Sequence, residues 1–439
     1  MRILVLWPPH VPSYFNAGHH TVLFQTAGYL RTLSAVDRVD TREAGLLNIN
    51  WKALGDLLFQ EKYDVIAVVN DFDTVDCLTR FLHYARQLSP TSKLVSFGRL
   101  SSMLPGMFAD LGFDAVVTSG DSEAGVAAYV NALAAGGPVG ALPGVAVRVG
   151  DSWQPESEPG RFLPAADWVL PDVREIPYDR YHELYLQDAN KFCGIPLRRE
   201  LVVPVARGCP IGCDYCDVHQ LAGLTERRLT VPAVLEYIEW ARSVMSFDYV
   251  AFYAPTFTLH KPWVRELASA LLDAEDPLPW KCSTTVHHLD EDLVRLMGRS
   301  GCVRISVGLE TLEPAAHGGL PRAKRIHEEQ FLRLGEWCVN AGVELNAFVI
   351  VGLPGTTAAG VRHTHEIVRA AGARFRPTMY TPFHLMSPTM SIEEVSRFNR
   401  QMIHPESTGH GVDVAELYGF IFGADDRLTT VYDQIPQRA

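Results

Sequence analysis

The sequence predicts an α/β protein in two parts, a doubly wound parallel sheet followed by a partial (β/α)6 barrel. Three observations carry this. Short apolar runs alternate with helix-length segments from the first residues to about position 135. The alternation pauses in a Gly- and Pro-rich stretch and then resumes for six further strand–helix units. Strands that alternate with helices pair in parallel and are covered by the helices between them.

In the first part, strands are expected at Ile3–Trp7, Arg38–Thr41, Val65–Val69, Leu94–Phe97 and Ala115–Thr118, each an apolar or β-branched run. Helical patterns fall near 20–34, 51–61, 74–88, 101–111 and 121–135. These elements define a Rossmann-like domain over residues 1–137. Residues 138–195 read as a Gly/Pro-rich linker with a hairpin-like stretch at Gly144–Val149 and Trp153. The barrel is expected over 196–388. Its strands are Leu201–Ala206, Tyr249–Phe252, Lys281–Thr285, Val303–Val307, Leu345–Ile350 and Thr378–Tyr380, with helices near 232–245, 261–273, 290–299, 325–341 and 358–372. A small C-terminal region, 389–439, holds a helical stretch at Ile392–Met402 and an aromatic-containing tail from Tyr418 to Tyr432.

Composition excludes several classes. The 439 residues are 47% hydrophobic and 21% charged, with a formal net charge of −12. A chain that tracks phosphates carries a basic stripe, so no nucleic-acid partner is expected. No apolar run approaches the roughly 18–20 residues of a membrane span. The opening MRILVLWPPH reads as a buried strand ended by Pro8-Pro9, not a secretory signal. The expected compartment is the cytoplasm, where an oxygen-sensitive cofactor stays reduced.

The chemistry is concentrated in ARGCPIGCDYC, where Cys209, Cys213 and Cys216 are spaced C-x3-C-x2-C directly after the first barrel strand. Three thiolates on one loop can hold three irons of a cubane 4Fe–4S cluster and leave the fourth iron open. Gly208, Pro210 and Gly212 free the loop from regular structure. Tyr215 stands ready to shield the cluster or stack on a bound ring. A zinc site is the alternative, with His219 as a fourth ligand, but no second C-x2-C unit accompanies the triad. The other five cysteines (Cys77, Cys193, Cys282, Cys302 and Cys338) are scattered singly and read as core residues of a reduced protein.

The motif, with an aromatic residue before its third cysteine, resembles the signature of the radical S-adenosylmethionine (SAM) superfamily. The N-terminal part, with VLWPPH, SFGRLSSMLP, VTSGDSE and PGVAVRVG in order, resembles the cobalamin-binding domain of the cobalamin-dependent radical SAM methyltransferases. The resemblance implies three cofactors: a 4Fe–4S cluster, SAM chelated at its open iron, and cobalamin. The D-x-H-x-x-G motif that supplies a cobalt ligand in methionine-synthase-type domains is absent. Cobalt's lower face is then met by another residue, by water, or by nothing.

The same resemblance places site residues. Pro9, Asn70, Asp71, Gly98, Arg99 and Gly120 lie at strand ends toward cobalamin, Gly98 and Gly120 because a large ring needs a close backbone approach. Loop capping is the bland reading of Asn70, Asp71 and Arg99. For SAM, relatives carry acidic residues after the second barrel strand, where this chain has Ala254-Pro255-Thr256. Thr256 is the substitute contact, Glu310 matches an acidic position, and Gly352 and Pro354 belong to a GLPG turn that approaches adenine. Arg304, Ser306 and His384 are expected at the barrel mouth, and Tyr253, His260, Tyr380 and His384 are candidate bases.

The implied activity is C-methylation of a small natural-product precursor, such as the aromatic carbon of a tryptophan or pyrrole, with methyl passing from SAM via methylcobalamin. An external one-electron reductant of flavodoxin or ferredoxin type is the implied partner. Alternatives are a polar transfer without SAM cleavage, a non-methylating rearrangement or C–H functionalisation, a vestigial cobalamin domain, and a non-enzymatic iron–sulfur sensor.

Overall fold

The computed structural model describes residues 1–10, 21–187, 194–195, 198–398, 402–404, 408 and 413–423. Contacts divide the chain into two units. The first holds Met1–Tyr181, Asp217–Arg227 and Leu385–Asn399, and the second His182–Cys216, Arg228–His384 and Arg400–Ala439.

In the first unit, β1 (Arg2–Trp7), β2 (Arg38–Glu43), β3 (Val65–Val69), β4 (Lys93–Phe97) and β5 (Ala115–Val117) form a parallel sheet in the order β2-β1-β3-β4-β5. β1 and β3 sit in its middle and are apolar throughout their buried residues, as strands covered on both faces must be. Helices α1 (Thr21–Arg31), α2 (Trp51–Glu61), α3 (Val75–Leu88), α4 (Arg99–Met103), α5 (Pro105–Asp110) and α6 (Ser122–Ala134) connect the strands. α1 packs on α6 and α2 on α3, one pair for each face of a doubly wound sheet. The helix expected at 101–111 is two helices, because Pro105 lacks the N–H that would carry α4 onward, and Leu104 between them leaves helical geometry.

Residues 138–181 are not a linker. β6 (Val145–Val149) and β7 (Ser152–Gln154) pair antiparallel and extend the first sheet beyond β5. The following segment folds back over the end of β5. Gly160 donates its N–H to Ser119 Oγ at 2.8 Å, and the Asp121 N–H reaches Arg161 O at 3.0 Å. This approach is so close that a Cβ on Gly160 would strike the Ser119 carbonyl, and one on Gly120 would lie 2.5 Å from the Gly160 carbonyl carbon.

In the second unit, β8 (Glu200–Pro204), β9 (Tyr249–Tyr253), β10 (Trp280–Thr285), β11 (Cys302–Glu310), β12 (Glu344–Val351) and β13 (Arg374–Met379) are all parallel and neighbour one another in chain order. The first unit contributes α7 (Val218–Ala222), and the second continues with α8 (Val231–Val244), α9 (Lys261–Asp273), α10 (Glu291–Arg299), α11 (Glu328–Asn340) and α12 (Ala358–Ala370). Each of α8 to α12 packs on the next, so all lie on one side of the sheet. The sheet is open, with β8 and β13 as its edges.

Its two faces differ. Val203, Phe252, Cys282, Ile305 and Leu345 share one face and are buried. The register places Lys281, Arg304 and Glu344, and then Ser283, Ser306, Asn346 and Arg374, on the other. The last strand starts four residues before its expected position because Arg374 and Arg376 fall on this polar face and mask its alternation. Of the C-terminal expectations, helix appears at Ile392–Ser396 and Val414–Gly423, and the tail beyond residue 423 lies outside the described residues.

Replacing Gly160 with Ala should destabilise the chain by about 1–3 kcal/mol, the usual cost of overpacking, whereas Gly136→Ala, with open space around it and its own positive φ to bear, should cost less. Urea unfolding followed by circular dichroism measures both.

Candidate functional site

The cluster loop follows β8. Gly208 and Gly212 hold φ of 85° and 64°, left-handed values that favour glycine. Cys216 N–H donates to Cys213 O at 3.0 Å, closing the turn that carries the second and third thiols. Cys213 is buried, and Cys209 and Cys216 are partly exposed. Cys209 Sγ lies 3.8 Å from Thr256 Oγ1, so Thr256, at the end of β9, does reach the loop. Burial pushes the Cys213 thiol up, while neighbouring Tyr215 and the Lys324 ammonium pull it back. Among the described residues, no group of three or more His, Cys, Asp or Glu side chains is gathered as around a single metal ion. His219 belongs to α7, in the first unit.

Glu310 stands at a bulge of β11 with φ of 63° and pairs with Lys324 Nζ at 3.1 Å. Gly308 makes this possible, because a Cβ there would collide with the Glu310 carboxylate and lie 2.6 Å from Lys324 Nζ. Lys324 is partly buried, which opposes its charge, yet Glu310 and the thiols of Cys213 and Cys216 together raise its pKa. A cation held beside two cluster thiols offsets their negative charge. The sequence offered no periodic signal for Lys324; the Gly two residues before Glu310 was the readable sign.

Tyr215 packs on Leu320, Ile350, Leu353 and Tyr380, which staples the cluster loop to the ends of β12 and β13. Burial, then Glu310 and the neighbouring thiols, push the Tyr215 hydroxyl far above the phenol range. Tyr380 is also raised, by burial and by Asp214. Both shifts favour the protonated phenol. His260 is exposed, and its Nδ1 accepts from Trp263 N–H at 3.3 Å as the cap of α9. His384 is exposed. Tyr253 is 36% exposed on the polar face of the sheet. Pro354 is exposed, while Gly352, with φ of 88°, packs near Ile403 and Thr408.

The polar face continues inward from the loop. Asn346 Oδ1 and Thr285 Oγ1 are buried with no hydrogen-bond partner among the described residues, and Asn346 Nδ2 donates to Ser306 Oγ at 3.4 Å. Ser283, in a central strand, is exposed. Arg304 is not at the mouth. It enters near the start of β11 and donates from Nε to Glu344 Oε1 at 2.5 Å, and Glu200 pairs with Lys281 and accepts from the Tyr249 hydroxyl at 2.6 Å. These ion pairs form the floor.

In the first unit the strand-end residues are largely committed to one another. Asn70 is fully buried; its Nδ2 donates to Ser96 Oγ at 2.8 Å, and its Oδ1 has no partner among the described residues. Asp71 caps Phe72 N–H at 2.7 Å and meets Arg99 at 3.3 Å. Gly98 has φ of 104° and a Cβ direction 3.0 Å from Asn70 O, and Gly120 faces Gly160. The close approach at both glycines is therefore made by the chain's own backbone. Pro9 is partly buried beyond β1, next to a cluster the sequence did not signal. His10 has a fully buried side chain whose Nε2 lies 3.4 Å from Glu43 and 3.5 Å from Asp73, over Gly45, where a Cβ would lie 2.5 Å from the ring.

Residues 203–368 match the Radical SAM superfamily profile. Among curated proteins, the chain is 25% identical over 199 residues to the anaerobic magnesium-protoporphyrin IX monomethyl ester cyclase of Rubrivivax gelatinosus, covering 44% of this chain and 35% of that protein. It is 26% identical over 151 residues to the cytidylyl-2-hydroxyethylphosphonate methyltransferase of Streptomyces wedmorensis, covering 34% and 28%. The matches thus span about a third of these relatives' length. The fold is similar to that of TsrM, a radical SAM methyltransferase from Kitasatospora setae solved with cobalamin and a [4Fe-4S] cluster, at a TM-score of 0.69 and 16% identity, covering 97% of this chain and 92% of that one. A second TsrM structure, with tryptophan and a SAM analogue, gives 0.68 at 17% identity over 87% and 74%. The chain therefore carries a radical SAM domain. At 16–17% identity the likeness to TsrM is one of fold.

Two predictions follow from the buried charges. Lys324→Met leaves Glu310 buried without its cation and should cost about 3 kcal/mol or more, most of it recovered in the Lys324→Met/Glu310→Gln double variant; urea unfolding of the four proteins closes that cycle. Burial raises Glu43 to about 7 and Asp73 to about 6. An acid whose folded pKa is raised contributes stability that is complete below its unfolded pKa and lost as pH rises through the folded one. Unfolding free energy should therefore fall between pH 5 and pH 8, by about 3 kcal/mol at most from Glu43, and Glu43→Gln should flatten the fall.

Proposed function

We propose that this protein is a cobalamin-dependent radical SAM C-methyltransferase that acts on a small, donor-bearing aromatic or heteroaromatic precursor, in the cytoplasm and with an external one-electron donor of flavodoxin or ferredoxin type. The observation that carries the reading is the pairing, in one chain, of a β2-β1-β3-β4-β5 sheet with a radical SAM sheet whose first strand delivers C-x3-C-x2-C.

The residues fit the implied groups. Three thiols on one loop, one of them buried, with the Lys324 ammonium beside two of them, suit a cluster that has three cysteine ligands. At the end of β3, the unpartnered Asn70 Oδ1 is an acceptor for an amide N–H, of which a corrin carries several. When bound, SAM supplies the methyl group and the reducible sulfonium, and cobalamin carries methyl to a weakly nucleophilic carbon. The protein's own work is placement. Glu310, fixed by Lys324 and by the space at Gly308, and Thr256 beside Cys209 are the polar contacts for SAM. Asn346 and Thr285 offer acceptors to a substrate N–H or O–H, and Tyr253 offers an aromatic wall. The TsrM structure with bound tryptophan supports an aromatic amino acid or related heterocycle as the class to try first.

Anaerobic reconstitution with iron, sulfide and hydroxocobalamin, followed by desalting, should leave both the cluster absorption and a corrin spectrum on the protein. Incubation with methyl-labelled SAM, a reductant and a panel of aromatic amino acids and pyrroles should then label a carbon of one of them. Cys213→Ala should lose the cluster absorption. A desalted protein without corrin, or an unchanged Cys213→Ala spectrum, overturns the reading.

A further inference from the structure

One row on the polar face of the second unit's sheet has hydrogen-bonding capacity to spare. In register, Ser283 of β10 stands beside Ser306 of β11, and Ser306 beside Asn346 of β12. Ser306 and Asn346 are 6% and 5% exposed, while Ser283 is exposed, so the hollow opens at this level of the sheet. Asn346 Nδ2 donates to Ser306 Oγ at 3.4 Å. Asn346 Oδ1 is buried with no hydrogen-bond partner among the described residues, although Arg374 of β13 is its next neighbour in register. The Ser306 hydroxyl accepts the Asn346 bond and keeps its own hydrogen to give. The charges of the floor are matched below this row, Lys281 by Glu200 and Arg304 by Glu344.

The pair therefore shows one acceptor and one donor side by side. This count survives a flip of the amide. With Oδ1 accepting from the Ser306 hydroxyl, Nδ2 becomes the outward donor and a Ser306 lone pair the outward acceptor. An orphaned buried acceptor costs stability, and an apolar side chain of similar shape would remove that cost. A ligand that completes the row brings its own acceptor and donor on one edge. A primary carboxamide does so, as does a lactam, whose N–H and C=O are cis. An ester or a carboxylate brings acceptors alone, and a trans secondary amide points its N–H and C=O to opposite sides. Two bonds made together also fix a planar ligand's rotation, which delivery to one carbon requires.

We propose that the substrate docks on Asn346 and Ser306 through an amide edge, a lactam or a primary carboxamide. The edge narrows the aromatic substrate class of the reading above and rests on that reading only for the ring of the probes. The test uses the full chain, reconstituted anaerobically with iron and sulfide and supplied with SAM, without corrin or reductant. Equilibrium dialysis compares indole-3-carboxamide with methyl indole-3-carboxylate, and 2-quinolone with 2-methoxyquinoline. The first of each pair carries the edge, and the second keeps the ring but lacks the N–H. Wild type should prefer the first by about tenfold or more in either pair. Asn346→Leu should bring the ratio to about one and melt no lower than wild type. Asn346→Asp, ionised, offers acceptors alone and should turn the preference to indole-3-carboxamidine, whose edge carries donors alone. Cluster absorption reports that each variant keeps its fold, and where the Asp variant loses it the Leu variant decides. Equal binding within both pairs by wild type, or no binding of any probe, overturns the amide edge. A preference that survives in Asn346→Leu, or a lower melting transition in that variant, overturns the docking role of Asn346. Corrin retention on a separate sample decides the methyltransferase reading by itself: a chain that shows the preference and keeps no corrin loses that reading and retains the edge.

Discussion

The Glu200–Lys281 and Arg304–Glu344 pairs let a parallel sheet keep one polar face. Such a sheet ordinarily hides both faces in hydrocarbon, and its strands read as unbroken apolar runs. Here only the helix-covered face does so. The opposite face carries charge at its floor, where each ion is matched by one from another strand, and small hydroxyl and amide groups above it. Matching matters because a lone buried charge costs several kcal/mol, whereas a paired and hydrogen-bonded one is tolerated. With the floor closed in this way, Ser283, Ser306 and Gly308 leave room above it that larger side chains would fill. A polar hollow in a parallel sheet has little structural purpose, and a polar ligand gives it one.

The same economy of charge governs the cluster loop. Three thiolates and Glu310 would repel one another in a dry pocket. Lys324 is the counter-charge, and Gly308 is the gap through which it reaches Glu310. Tyr215, kept protonated, faces the thiols as a neutral group and packs its ring against Ile350 and Leu353. The loop is thereby fixed by apolar contacts on one side and balanced electrostatically on the other. Neither arrangement needs a regular backbone.

How much of this was legible in the sequence depends on the kind of signal. The central strands of both sheets were readable because β-branched runs such as Val65–Val69 and Leu201–Val203 have few alternatives to burial. The cysteine loop was readable because its spacing is rare. Arg374–Met379 was displaced, since Arg374 and Arg376 look like surface residues until the polar face is known. Residues 138–181 looked like a linker because Gly and Pro punctuate them. Their glycines serve instead to bring Gly160 against Ser119 and Gly120, a contact between segments some forty residues apart that no local pattern encodes. Lys324 was missed for the same reason: its partner lies across a bulge, and a lone Lys in a polar stretch carries no periodicity.

Strand-end polar residues show the limit most clearly. Asn70, Asp71, Arg99 and Asp121 stand where ligands bind in this class of sheet, and the sequence cannot separate a ligand contact from an internal tie. The structure shows ties: Asn70 to Ser96, Asp71 to Arg99, Arg99 to Asp217 and Asp121 to Arg227. The two roles are compatible. A ligand edge built from flexible polar side chains would pay in entropy each time it bound, so a pre-formed lattice of charge-assisted bonds is the better platform. The lattice extends to Asp217, the residue that follows Cys216 in the chain.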